Sequence, residues 1–99
     1  MITNDHLHAI VDGSEWHWLP LRTAADTIEA VHDVIDGRLP LTHVRGVGGG
    51  RGTITRERLA IGLIERCRSL DIDDELAQMD ATDYDVIIQR ASFGDVIYD

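Results

Sequence analysis

Apolar positions recur along this chain in more than one rhythm, and the changes of rhythm predict its elements. Between His6 and Leu19 they alternate. Leu7, Ala9 and Val11 fall on one side of an extended segment. Trp16 and Trp18 join that side if the two halves fold back about Asp12-Gly13-Ser14, a favoured hairpin turn. The pattern predicts an N-terminal β-hairpin of residues 6–11 and 15–19 that turns both tryptophans to the core, with a helix over residues 5–12 as the competing reading. Residues 23–36 then take helical spacing, with Ala24, Ile28, Val31 and Ile35 on one stripe. Thr23 and Asp26 make a capping-box-like start, and Gly37 and Pro40 stop the helix.

Alternation returns at Leu41–Val47, which predicts a strand. Gly48-Gly49-Gly50-Arg51-Gly52 follows as a flexible loop or wide hairpin tip, and Thr53-Ile54-Thr55 resumes the extended pattern. Residues 56–70 fit two templates. Leu59, Leu63, Cys67 and Leu70 make a helical stripe after Thr55, whereas Leu59, Ile61 and Leu63 also alternate and Gly62 weakens a helix. The acidic end reads as a short helix over Ile72–Met79. After it comes either a helix capped near Thr82–Asp85, or strands at Val86–Ile88 and Val96–Tyr98. The sum is a small α+β domain over residues 1–99: N-terminal hairpin, amphipathic helix, strands around a glycine-rich loop, and an acidic C-terminal helical segment.

Charge changes the picture. Nine basic residues stand against eighteen acidic ones, a net charge of −9, and every basic residue is arginine. The absence of lysine excludes a P-loop and Schiff-base chemistry. The acids lie mainly at the two ends, while seven arginines crowd residues 38–68. Opposed blocks of this kind favour contact between the basic middle and an acidic surface, on this chain or on another copy. The lone Cys67 excludes an internal disulfide and an all-cysteine metal site, and its place in an apolar stripe marks it as a small buried hydrophobe. The longest apolar run, Leu59–Ile64, is too short to cross a membrane, and the first residues lack a signal-peptide pattern. The expected protein is therefore soluble and intracellular.

Candidate chemistry is sparse. On the predicted hairpin His6, His8 and His17 share a face beside Glu15, a conceivable metal site as well as an ordinary polar sheet face. Ser14, Ser69 and Ser92 lack a nucleophile-elbow context. The run Gly46–Gly52 misses the dinucleotide fingerprint, because Arg51 stands where its third glycine belongs. Arg45, Arg51, Arg56 and Arg58 could approach phosphates, but the strongly negative chain would repel a polyanion. These features point to a protein without enzymatic activity, cofactor, membrane or direct nucleic-acid contact. Its interface would be built on Arg45, Arg51, Arg56 and Arg58, with Trp16 and Trp18 as apolar anchors where exposed.

Val44-Arg45-Gly46-Val47-Gly48-Gly49-Gly50-Arg51-Gly52-Thr53-Ile54-Thr55, followed by Arg58-Leu59-Ala60-Ile61 and Glu75-Leu76-Ala77, resembles the middle of tail-terminator proteins from long-tailed bacteriophages. The likeness spans residues 23–91 at most, and the Trp-bearing segment before it has no counterpart in that family. The resemblance implies a non-catalytic α/β subunit that assembles into a ring, a hexamer in that family, at the end of the tail tube. It also implies a strand over residues 53–64. A rival reading is a small acidic inhibitor or immunity protein that mimics nucleic acid and covers a basic partner. A third is a metal-dependent enzyme on the histidine face.

Overall fold

The N-terminal segment is helical. In the computed structural model, which describes residues 1–98, α1 spans Asn4–Gly13. Its start is a capping box: the Thr3 hydroxyl accepts from the His6 backbone N–H at 3.2 Å, and His6 Nδ1 accepts from the Thr3 N–H at 3.0 Å. Leu7, Ile10 and Val11 are its buried residues. The expected hairpin of residues 6–11 and 15–19 is thereby corrected. Ile10, which the hairpin would place on the polar face, is fully buried, while Ala9 is exposed. The alternation of Leu7, Ala9 and Val11 was a coincidence, and the cap with its i, i+3, i+4 contacts decides the conformation. Asp12-Gly13 ends the helix instead of turning a hairpin, and Gly13 lies against the Tyr84 ring, where any Cβ would collide.

Residues 14–20 then fold as turns. Trp16 has φ 52°, an unusual left-handed backbone for a bulky side chain. Its indole N–H donates to the Val11 carbonyl at 2.9 Å, and its ring meets Trp18 at 5.4 Å, contacts that hold it there.

Helix α2 (Leu21–Ile35) begins two residues before the expected position, with Pro20 rather than Thr23 at its cap. Pro20 has φ −60° and cannot donate, which suits the helix entrance. Val31, Val34 and Ile35 are buried, Ala24 and Ile28 pack on the core edge, and Gly37 at φ 80° follows the helix end. Strands β1 (Thr42–Arg45) and β2 (Arg51–Ile54) pair antiparallel with Thr42 opposite Ile54 and Arg45 opposite Arg51.

Helix α3 (Arg56–Arg66) settles the ambiguous stretch. Thr55 caps it by accepting from the Arg58 N–H at 3.1 Å. Leu59 and Leu63 are fully buried while Ile61 is about half exposed, so helical spacing prevails over alternation, but the expected stripe stops short: Cys67 is the C-cap and Leu70 lies exposed beyond the helix. The strand over residues 53–64 that the tail-terminator likeness implies is present only as far as Ile54. Gly62 is the reason a weak helix former sits here: its Cα faces the Ile87 backbone of the next layer, where a Cβ would stand 3.2 Å from the Ile87 carbonyl.

Helices α4 (Ile72–Gln78) and α5 (Ala81–Phe93) complete the chain, capped by Asp71 and by an Asp80–Asp83 capping box. Val86–Ile88 is thus helical, and Val96–Tyr98 forms no strand. The fold is α+β: the described residues form five α-helices and a two-stranded antiparallel sheet. Helix α5 is central to it, packing on α3, β2 and α1 over one apolar cluster. Among the described residues, no helix is long and apolar enough to cross a membrane.

Candidate protein-contact surface

The β1–β2 hairpin sets Arg45 directly opposite Arg51 beside the glycine turn. Both are exposed, and among the described residues no carboxylate lies within 4.0 Å of either guanidinium. Like charges directly opposite on paired strands destabilise a sheet, so this pair costs stability where it stands. The next two arginines enter the first turn of α3, the positive end of a helix dipole, which is again unfavourable for a cation. Arg58 is exposed and donates through its guanidinium to the Thr53 carbonyl at 3.0 Å. Arg56 is half-buried and donates through Nε to Asn4 Oδ1 at 2.9 Å, which ties the start of α3 to α1. Arg56 therefore acts as an internal tether, while Arg45, Arg51 and Arg58 face outward.

Two shallow clefts flank this hairpin. One, of about 490 Å³, is lined by Arg51, Arg58, Arg90 and Glu65 with Ile61 and Phe93. The other, of about 390 Å³, lies between His43, Val44, Arg45 and Arg51. Arg51 borders both. Val47, Ile61 and Ile97 are each about half exposed, so apolar area is available beside the charges.

The expected role of the tryptophans is corrected. Trp16 and Trp18 are only 5% and 1% exposed and cannot anchor a partner. Trp18 instead organises the floor beneath the glycine turn. Its indole N–H donates to Asp85 Oδ1 at 2.6 Å, and its ring stacks on Tyr98 at 5.7 Å and meets the Phe93 edge at 5.4 Å.

The glycine run is likewise not a free loop. Val47–Gly49 forms a short 3-10 turn with Gly48 at φ 73° and Gly49 at φ 95°, which a residue with Cβ would resist. The Val47 N–H donates to the Trp18 carbonyl at 2.8 Å. The Tyr98 hydroxyl accepts from the Gly50 N–H at 3.0 Å and donates to the Val47 carbonyl at 2.7 Å. Gln89, fully buried, holds the segment that carries Tyr98. Its Oε1 accepts from the Ile97 and Tyr98 N–H groups at 2.9 and 2.8 Å. Its Nε2 donates to Asp85 Oδ2 and the Tyr98 carbonyl, both at 2.7 Å. The arginine pair thus sits on a braced platform. Sequence reasoning passed over Tyr98, whose hydroxyl reaches residues about fifty positions away, over Gln89, which holds Tyr98 in place, and over Arg90, which lines the larger of the two clefts.

The histidines do not form the cluster that the hairpin would have made. His6 caps α1 and bonds to Asp73 through Nε2 at 2.7 Å. His8 turns to α2, and His17 is exposed in the turn segment. Among the described residues, no three His, Cys, Asp or Glu side chains converge on a possible metal position. Cys67 is half-buried at the core edge, where burial and then the Glu75 charge push its thiol up from the ordinary value. The ion pair nearest this edge is Arg66–Asp83, in which both Nε and NH2 donate to one oxygen at 3.0 and 2.6 Å.

No protein-family model, curated protein or solved structure matches this chain.

Proposed function

We propose that the chain is a non-enzymatic interaction subunit that presents Arg45, Arg51 and Arg58 to an acidic protein surface. The observation that carries this reading is the cross-strand pair Arg45–Arg51, exposed and without a carboxylate of the described residues to neutralise it. An arrangement that costs the free subunit stability is relieved when an acidic surface covers it, and the desolvated arginines then supply charge-assisted hydrogen bonds. The neighbouring Val47, Ile61 and Ile97 add the apolar area that charge pairs alone do not provide. The resemblance to tail-terminator proteins suggests a ring in which the acidic flank of the next copy supplies that surface, by a head-to-tail contact.

Sedimentation over a concentration series, at low salt and at about 0.5 M salt, tests the reading. The expected result is self-association, or binding to a phage tail or head component. It weakens with salt and is lost in Arg51→Glu, whose fold by circular dichroism is unchanged. A strict monomer that binds no such component overturns the ring. A monomer that co-purifies with one basic protein through its carboxylates favours the inhibitor reading instead.

A further inference from the structure

Away from the arginine face, α1 and α2 share a chain of side chains that neither the core nor the proposed contact uses. α1, and α2 together with its C-cap, carry the same unit, a histidine followed four positions later by an aspartate: His8 with Asp12, and His32 with Asp36. The helices run in opposite directions, so each imidazole reaches the other helix's carboxylate. His8 Nε2 lies 2.7 Å from Asp36 Oδ1, and His32 Nε2 lies 2.9 Å from Asp12 Oδ1. The two Nδ1 atoms face each other at 2.6 Å, and the rings stack with centroids 4.8 Å apart.

Proton counting constrains this chain. An ionised carboxylate only accepts, so each Nε2 must carry a proton to bond its aspartate. The central contact needs a proton on one Nδ1 and a lone pair on the other. All three bonds therefore exist together only when the two rings hold three protons between them, one ring charged and the other neutral. A fourth proton sets two N–H groups against each other between two cations. With only two protons, one of the three contacts has none to share.

We propose that His8, His32, Asp12 and Asp36 form a proton-dependent clasp between α1 and α2, complete in one window of pH and loosened on both sides of it. The charged groups facing the pair are Asp12 from α1, Asp36 at the C-cap of α2, and Arg38 two residues further on, whose charge acts on Asp36. On the elements packed against these helices, Asp73 of α4 bonds to His6, Asp85 of α5 to Trp18, and His43 of β1 to Thr53. The His8 hydrogen bond, joined by the charges of His8, Arg38 and His32 and opposed by desolvation, holds the Asp36 carboxyl below the ordinary value of 3.8. Asp36 thus stays an ionised acceptor further into acid than an ordinary aspartate. The proposal is independent of the contact surface described above.

Denaturant unfolding from about pH 4.5 to 9, in the presence of EDTA, tests the clasp on the wild type, His8→Ala, His32→Ala and the double variant. Both histidine side chains are about a quarter exposed, so the variants retain the core. The expected coupling between the two sites is about tenfold in the folding equilibrium constant at its maximum and falls toward unity at both ends of the range. A coupling that is flat, or that rises steadily toward either end, overturns the clasp. Long-range proton–nitrogen NMR of the unaltered protein gives a readout that needs no variant. Three ring-bound protons on the pair at the coupling maximum support the proposal, and two or four refute it.

Discussion

Gln89→Leu removes a buried side chain that fastens the C-terminal segment to the platform under the arginine pair. Leucine keeps nearly the volume of glutamine, so the cavity contribution is small and the loss is one of hydrogen bonds. Four are broken: two from the Ile97 and Tyr98 N–H groups, and two to Asp85 Oδ2 and the Tyr98 carbonyl. The backbone groups of Ile97 and Tyr98 can lift away and bind water. The Asp85 carboxylate, only 9% exposed, cannot. An orphaned buried acceptor costs about 2 kcal/mol, and losing the Trp18–Tyr98 stack adds about 1 kcal/mol, a total near 3 kcal/mol. For a domain of this size that lowers Tm by about 15 °C. Urea unfolding followed by tryptophan fluorescence measures the energy, and amide exchange at Gly50 reports whether Tyr98 has left the turn. A variant within about 0.5 kcal/mol of the wild type, with Gly50 still protected, would refute the reasoning.

Gly52→Ala pushes a Cβ into the Ser92 carbonyl where β2 crosses α5, and is expected to cost at least about 2 kcal/mol in urea unfolding; a neutral result means the strand does not approach the helix so closely. The Arg66 hydrogen bond, with the Asp80 backbone N–H second, holds the Asp83 carboxyl below its ordinary 3.8. A depressed value adds stability that is present above 3.8 and lost as pH falls through the folded value. Asp83→Asn should therefore flatten the acid limb of the stability–pH profile, and an unchanged limb counts against the pair. Cys67, its thiol raised by burial and Glu75, should react with a thiol reagent near pH 7.5 more slowly than the unfolded chain does, and equal rates would contradict its placement.

Local signals carried α2 through its stripe of Ala24, Ile28, Val31 and Ile35, although its cap is Pro20 and not Thr23. For α3 the cap Thr55 and the stripe of Leu59 and Leu63 were legible beside a competing alternation, which burial decided. The N-terminal hairpin failed because two templates fitted the same apolar residues. The deciding feature was a capping box whose reciprocal partner is a histidine, a residue that the usual Glu or Gln pattern omits. The glycine run was legible as a turn between strands, but its rigidity was not. That depends on Tyr98, which lies 48 residues beyond Gly50.

The contact surface divides in the same way. Composition alone concentrated arginine in the middle third, because charge counting needs no coordinates. Which of those arginines face outward was decided by strand register and by partners distant in sequence: Asn4 engages Arg56, and the pairing of β1 with β2 leaves Arg45 and Arg51 side by side. The exchange of aspartates between His8 and His32 was visible as two repeated spacings on the chain, yet it carried no meaning until the helices packed antiparallel. Periodicity, caps and net charge are properties of neighbours along the chain, and the sequence determines them directly. Burial, pairing and proton sharing are properties of neighbours in space, and only the folded chain brings those groups within reach of one another.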